Sequence, residues 1–85
     1  MARVLATHGL HFPVEQRADV LAALRARKAA LTRHHCNYWV FEDVNLPGVL
    51  LEFYEAPTRE TLVLARDAIG VEAPGQPIFS EVELS

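Results

Sequence analysis

Cysteine is almost missing from this chain. Cys36 is the only one, which excludes an internal disulfide and leads us to expect a reducing, cytoplasmic setting. No run of 18 or more apolar residues occurs and no charged-then-apolar leader opens the chain, so neither a membrane span nor a signal peptide is expected. Serine is scarce too: Ser80 and Ser85 have no turn around them that would expose a nucleophile, and there is no glycine-rich phosphate loop. Metal-ligand spacings such as CxxC or HExxH are absent. His8 and His11 stand three apart, which on a regular strand sends them to opposite faces, and the adjacent His34 and His35 likewise diverge if extended. We therefore expect no metal and no cofactor. Positive charge is also limited: the net charge is −3 and the basic residues cluster on one helix, so no nucleic-acid footprint is expected.

What the chain does have is apolar material. Its 85 residues suffice for one domain spanning 1–85, and 51% of them are hydrophobic against 22% charged. A chain this short buries only about 60 to 65% of its unfolded surface. Some of that apolar surface must then be hidden between subunits, so a homodimer is the expected partner arrangement.

Residues 3–12 (RVLATHGLHF) read as a strand, with Val4, Ala6, Leu10 and Phe12 alternating against Leu5, Thr7, Gly9 and His11. Gly9 marks a candidate bulge, which would swap the facing of His11. Pro13 opens a helix over residues 14–32, with Val14, Ala18, Leu21, Leu24 and Leu31 near one stripe and a solvated basic face. Thr58 caps a second helix that carries Leu62, Leu64, Ala65, Ala68 and Ile69 and ends at Gly70. Residues 72–77 read as a loop from Pro74, Gly75 and Pro77, and residues 78–84 as a last strand.

Between the helices, residues 37–56 (NYWVFEDVNLPGVLLEFYEA) read as a hairpin turning at Asn45-Leu46-Pro47-Gly48. A four-residue loop pairs Val44 with Val49, Val40 with Phe53 and Trp39 with Tyr54. One face then carries Val40, Leu51 and Phe53, while Asn37, Trp39, Phe41, Leu50, Glu52 and Tyr54 share the other. That second face mixes aromatic rings with hydrogen-bonding groups, as a pocket wall or a subunit interface does. The element order βαββαβ predicts an α+β, ferredoxin-like fold with a four-stranded antiparallel sheet and both helices on one face.

The segments YWVFEDVNLPG (38–48) and LLEFYEAPTRETL (50–62) resemble the antibiotic biosynthesis monooxygenase (ABM) group of the dimeric α+β barrel superfamily, with Glu52 and Tyr54 at its Glu-x-aromatic positions. The resemblance implies a homodimer with two sheets packed face to face and a cavity between sheet and helices in each protomer. It also implies cofactor-free oxygenation of a small aromatic or quinol-like molecule. Many members place a histidine on the second helix where this chain has Ala65 or Arg66, which tells against readings that need it, haem degradation included.

Within that reading Trp39 and Tyr54, with Phe41, would stack on the substrate ring and Asn37 would hydrogen-bond its oxygens. Glu52 or His8 would take the proton. The plainer account makes the aromatics interface core, pairs Glu52 across the interface and leaves His8 a satisfied buried histidine. A non-catalytic dimeric barrel that binds a small molecule or serves in assembly, and an isomerase that needs only a proton-transfer group, are the competing functions.

Overall fold

The computed structural model describes residues 2–71 and 76–84. Strand β1 is Val4–His11, followed by a 3-10 turn at Val14–Gln16 and helix α1 at Arg17–Arg33. The hairpin strands are β2 (Asn37–Glu42) and β3 (Val49–Ala56), helix α2 is Arg59–Ala68, and β4 is the short Phe79–Ser80. The sheet order is β2-β3-β1-β4 and each neighbouring pair is antiparallel. This α+β layout is compatible with the ferredoxin-like arrangement expected from the element order.

Both helices cover the same side of the sheet. Val4, Ala6, Tyr38, Tyr54 and Ala56 from the strands pack with Leu31 of α1 and with Leu62 and Ala65 of α2. A second cluster joins Phe12, Leu24 and Leu50 near the start of α1. Burying Leu31 or Leu62, each fully enclosed, contributes about 1.5–3 kcal/mol relative to leaving it in water.

Each helix ends on backbone geometry that its sequence supports. The N–H of Cys36 donates to the carbonyl of Leu31 and that of His35 to Thr32, with His35 at φ +62°, so α1 closes in a Schellman motif on a histidine. In α2 the Thr58 hydroxyl accepts from the N–H of Thr61 at 3.1 Å, and Gly70, at φ +74°, closes the far end.

Several expectations need correction. The inner stripe of α1 runs through Leu24 and Leu31 with Val20 and Leu21 at its margin, whereas Val14 is exposed in the 3-10 turn before the helix and Ala18 is exposed in its first turn. On α2, Leu64 and Ala68 are exposed. No bulge occurs at Gly9: β1 pairs with β3 continuously from Val4↔Ala56 to His11↔Val49, which places His8 on the helix side and His11 on the other. The last strand pairs only at Phe79 and Ser80, with one further bond from the N–H of Glu81 to the carbonyl of Arg3, and Val82 and Leu84 are exposed. Of the expected loop, residues 72–75 lie outside the described residues.

The largest correction is the hairpin register. Trp39 stands opposite Phe53, Tyr38 opposite Tyr54 and Val40 opposite Glu52. The turn is one residue longer than Asn45-Leu46-Pro47-Gly48 suggests, because the Asp43 side chain accepts the N–H groups of Asn45 and Leu46 at 2.8 and 3.1 Å. That local bond draws Val44 into the loop and leaves the N–H of Asp43 to pair with the carbonyl of Val49. Gly48 completes the turn at φ +87°, where an added Cβ would lie 2.4 Å from the carbonyl oxygen of Phe12. A slip of one residue sends every side chain of one strand to the other face. Tyr38, Val40, Leu50, Glu52 and Tyr54 therefore lie beneath the helices, while Trp39, Phe41, Leu51 and Phe53 share the uncovered face.

Candidate functional site

Because of that register the predicted site residues fall into two groups on opposite sides of the sheet. Glu52, Tyr54 and His8 belong to the helix-covered side, and Asn37, Trp39 and Phe41 to the bare side. Trp39 and Tyr54 do not stack on a common ligand face.

On the covered side Glu52 is fully enclosed. An unpartnered carboxylate there would pay several kcal/mol of desolvation. Arg27 of α1 answers it, donating from Nη1 to both carboxylate oxygens at 2.6 and 2.9 Å. The Tyr54 hydroxyl donates to the same carboxylate and accepts from Arg27 Nη1 at 3.4 Å. The partner of Glu52 is thus within the protomer rather than across an interface. The basic run of α1 reads as a solvated face in the sequence, and Arg27, which belongs to that run, turns inward instead. Its position three residues after Leu24 and four before Leu31 is the signal for its inward direction.

Two polar atoms beside this pair have no hydrogen-bond partner among the described residues: the Tyr38 hydroxyl and Nδ1 of His8. The Tyr38 ring packs against Tyr54 with centroids 5.2 Å apart. His8 lies directly across the ladder from Glu52, with Nδ1 3.9 Å from its Oε2. The His8 side chain is about one-third exposed although its Nδ1 is buried.

The electrostatics follow from burial and one shared negative charge. Burial pushes the phenol pKa of both tyrosines up, and Glu52 pushes it further, so both stay protonated donors at neutral pH. Burial, the largest single effect, works against the charge on Arg27, but Glu52, Tyr54 and Tyr38 together outweigh it and hold the guanidinium above its ordinary value. Since Glu52 is sealed and both its oxygens are engaged, it cannot itself meet a substrate. The proton-transfer group beside it that keeps some exposure is His8, the side chain most often used as a general acid or base.

Cys36 is no part of this chemistry. It is buried against Leu31, its thiol pKa raised first by burial, and Sγ donates to the carbonyl of Asn37 at 3.5 Å.

On the bare side Phe41 meets Phe53 edge-on at 5.3 Å, and Trp39, Leu51 and Phe79 continue the patch. Trp39 is 45% exposed and Phe41 60%. Asn37 lies at its end, donating from Nδ2 to Glu55 at 3.0 Å, and Glu55 also takes Nη1 of Arg3 at 2.8 Å. Compared with family models, with curated proteins and with solved structures, the chain matches none of them.

Proposed function

We propose that this chain is a homodimeric, ABM-like α+β barrel of the reducing cytoplasm, in which each protomer carries a proton-transfer centre at His8 backed by Glu52. Its reaction is the cofactor-independent oxygenation of a small aromatic or quinol-like molecule. The observation that carries the reading is the unpartnered Nδ1 of His8 beside a sealed carboxylate, in a side chain that is about one-third exposed. The bare face, with its large aromatics in one patch, supplies the dimer contact.

In this reaction His8 removes a proton from an acidic ring methylene or hydroxyl, and the substrate anion reduces dioxygen directly. For a methylene, one oxygen atom becomes the new carbonyl and the other leaves as water with the two displaced hydrogens. Glu52 lies behind the imidazole, its Oε2 3.9 Å from Nδ1, while Arg27 and Tyr54 occupy its oxygens. Trp39 and Phe41 act at the dimer contact rather than on the substrate ring.

Oxygen uptake with a panel of anthrones and quinols tests the chemistry, and His8→Gln should slow it by about a hundredfold or more. Absence of uptake across the panel, or turnover indifferent to His8→Gln, rejects the oxygenase. Proton exchange into solvent without oxygen uptake would instead mark an isomerase. A binding barrel without catalysis is favoured by one observation, the satisfaction of Glu52 by Arg27 and Tyr54, and tight binding without turnover would establish it. Sedimentation at micromolar concentration should show a species of twice the 9.5 kDa chain mass. A stable species at 9.5 kDa would remove the dimer.

A further inference from the structure

A groove of about 420 Å³ runs between α1 and the edge strand β2, away from His8, which lies two strands further into the sheet. Leu21, Leu24 and Val40 form its apolar wall, Trp39 and Phe41 its margin, and Tyr38 also lines it. Its size falls within the range of about 300–1,000 Å³ typical of small-molecule sites.

Two cations, Arg25 and Lys28, stand on this groove three residues apart on α1, and no acidic side chain lines it. Among the described residues neither forms an ion pair, whereas Arg3, Arg17 and Arg27 each hold a carboxylate. The chain as a whole is negative, so the groove is a local exception to the prevailing sign.

We infer that the groove between α1 and β2 binds a small monoanion with an aromatic body, its charge held by Arg25 and Lys28 and its ring against Leu21, Leu24 and the Trp39 margin. The apolar wall accounts for the ring, and the unpaired cations account for the charge. This site does not depend on the reaction at His8.

The probe is 2-naphthoate, compared with neutral 2-naphthamide of the same shape, and the readouts are calorimetry and NMR shifts. Leu21 and Leu24 methyls and the indole N–H of Trp39, the only tryptophan, report the groove. Leu51 and Phe53 report the bare face. Naphthoate should saturate the groove signals and bind about tenfold or more tighter than the amide, a difference of about 1.4 kcal/mol. Arg25→Gln with Lys28→Gln should remove that preference and leave amide binding unchanged. Both residues are exposed, so the double variant is expected to keep its melting temperature. Raising salt on the unaltered chain gives a second reading without any substitution, since the naphthoate advantage should shrink. His8→Gln should bind naphthoate as before, which separates this site from the proposed reaction. Equal binding of acid and amide, or shifts centred on Leu51 and Phe53, or no binding at all, would overturn the assignment.

Discussion

The two faces of the hairpin are made from the same two strands, yet they solve opposite problems. Beneath the helices, β2 and β3 present Tyr38, Val40, Leu50, Glu52 and Tyr54 to a dry interior, and a charge there is tolerated only because Arg27 and Tyr54 meet it. On the other side Trp39, Phe41, Leu51 and Phe53 have no helix above them and lie partly open. The lesson is that hydrophobicity alone does not identify the core here. The enclosed face holds the carboxylate, and the open face holds the tryptophan.

The difference can be broken most forcefully from the enclosed side. Glu52→Ala leaves Arg27 and the Tyr54 hydroxyl without their acceptor and should destabilise the fold by about 3 kcal/mol in urea unfolding. Replacing the pair together, Glu52→Leu with Arg27→Leu, should recover much of that loss, because no charge is then left stranded. If the double variant is no more stable than Glu52→Ala alone, the account of the pair as mutual compensation is wrong.

The register that creates the two faces depends on the turn. Gly48→Ala should cost about 2 kcal/mol, since the backbone there is left-handed and a Cβ would strike the Phe12 carbonyl. Chemical denaturation checks this, and unchanged stability would mean that the turn is not held as described.

From the open side the expected effect on folding is smaller. Phe41→Lys should change protomer stability by no more than about 0.5 kcal/mol. It should nevertheless weaken self-association by about thirtyfold, some 2 kcal/mol, if Phe41 lies at the centre of the dimer contact. Sedimentation equilibrium separates the two numbers.

The smallest effect is expected from the ion pair that ties the turn to the start of α1. Arg17 grips Glu42 with two bonds of 2.7 and 2.8 Å, and the N–H of Gly48 adds a third at 3.0 Å. Arg17 and then that N–H lower the Glu42 pKa to about 2. A carboxyl whose folded pKa is depressed stabilises the fold above its unfolded value, and the contribution is lost as pH falls through the folded value. The melting temperature should therefore decline between the ordinary carboxylate range near 4.5 and about 2, and Arg17→Gln should flatten this part of the decline. The pair is largely solvated, so the change should be slight and should shrink in salt. A Glu42 titration midpoint near the ordinary value, followed by NMR, would contradict the pairing.

Legibility in the sequence was uneven for identifiable reasons. The element order and the Thr58 and Gly70 caps were readable, because alternation, capping side chains and left-handed residues act over a few positions. His8 and Glu52 were recognisable as candidates from their types. Their pairing was not, because it depends on β1 and β3 meeting in a continuous register through Gly9. Arg27 was hidden among neighbouring basic residues, although its helical position between Leu24 and Leu31 pointed inward. Grouping Trp39 with Tyr54 failed for one reason: both faces of the hairpin are similarly apolar, so the pattern does not penalise the wrong register.

By itself, then, the sequence determined which segments are helices and which are strands, since those choices are made by neighbouring side chains and backbone. Only the tertiary structure decided which side of the sheet each hairpin residue takes. That outcome turned on the Asp43 carboxylate capturing two backbone N–H groups and lengthening a turn by one residue, and a two-residue side-chain period carries such a change along an entire strand.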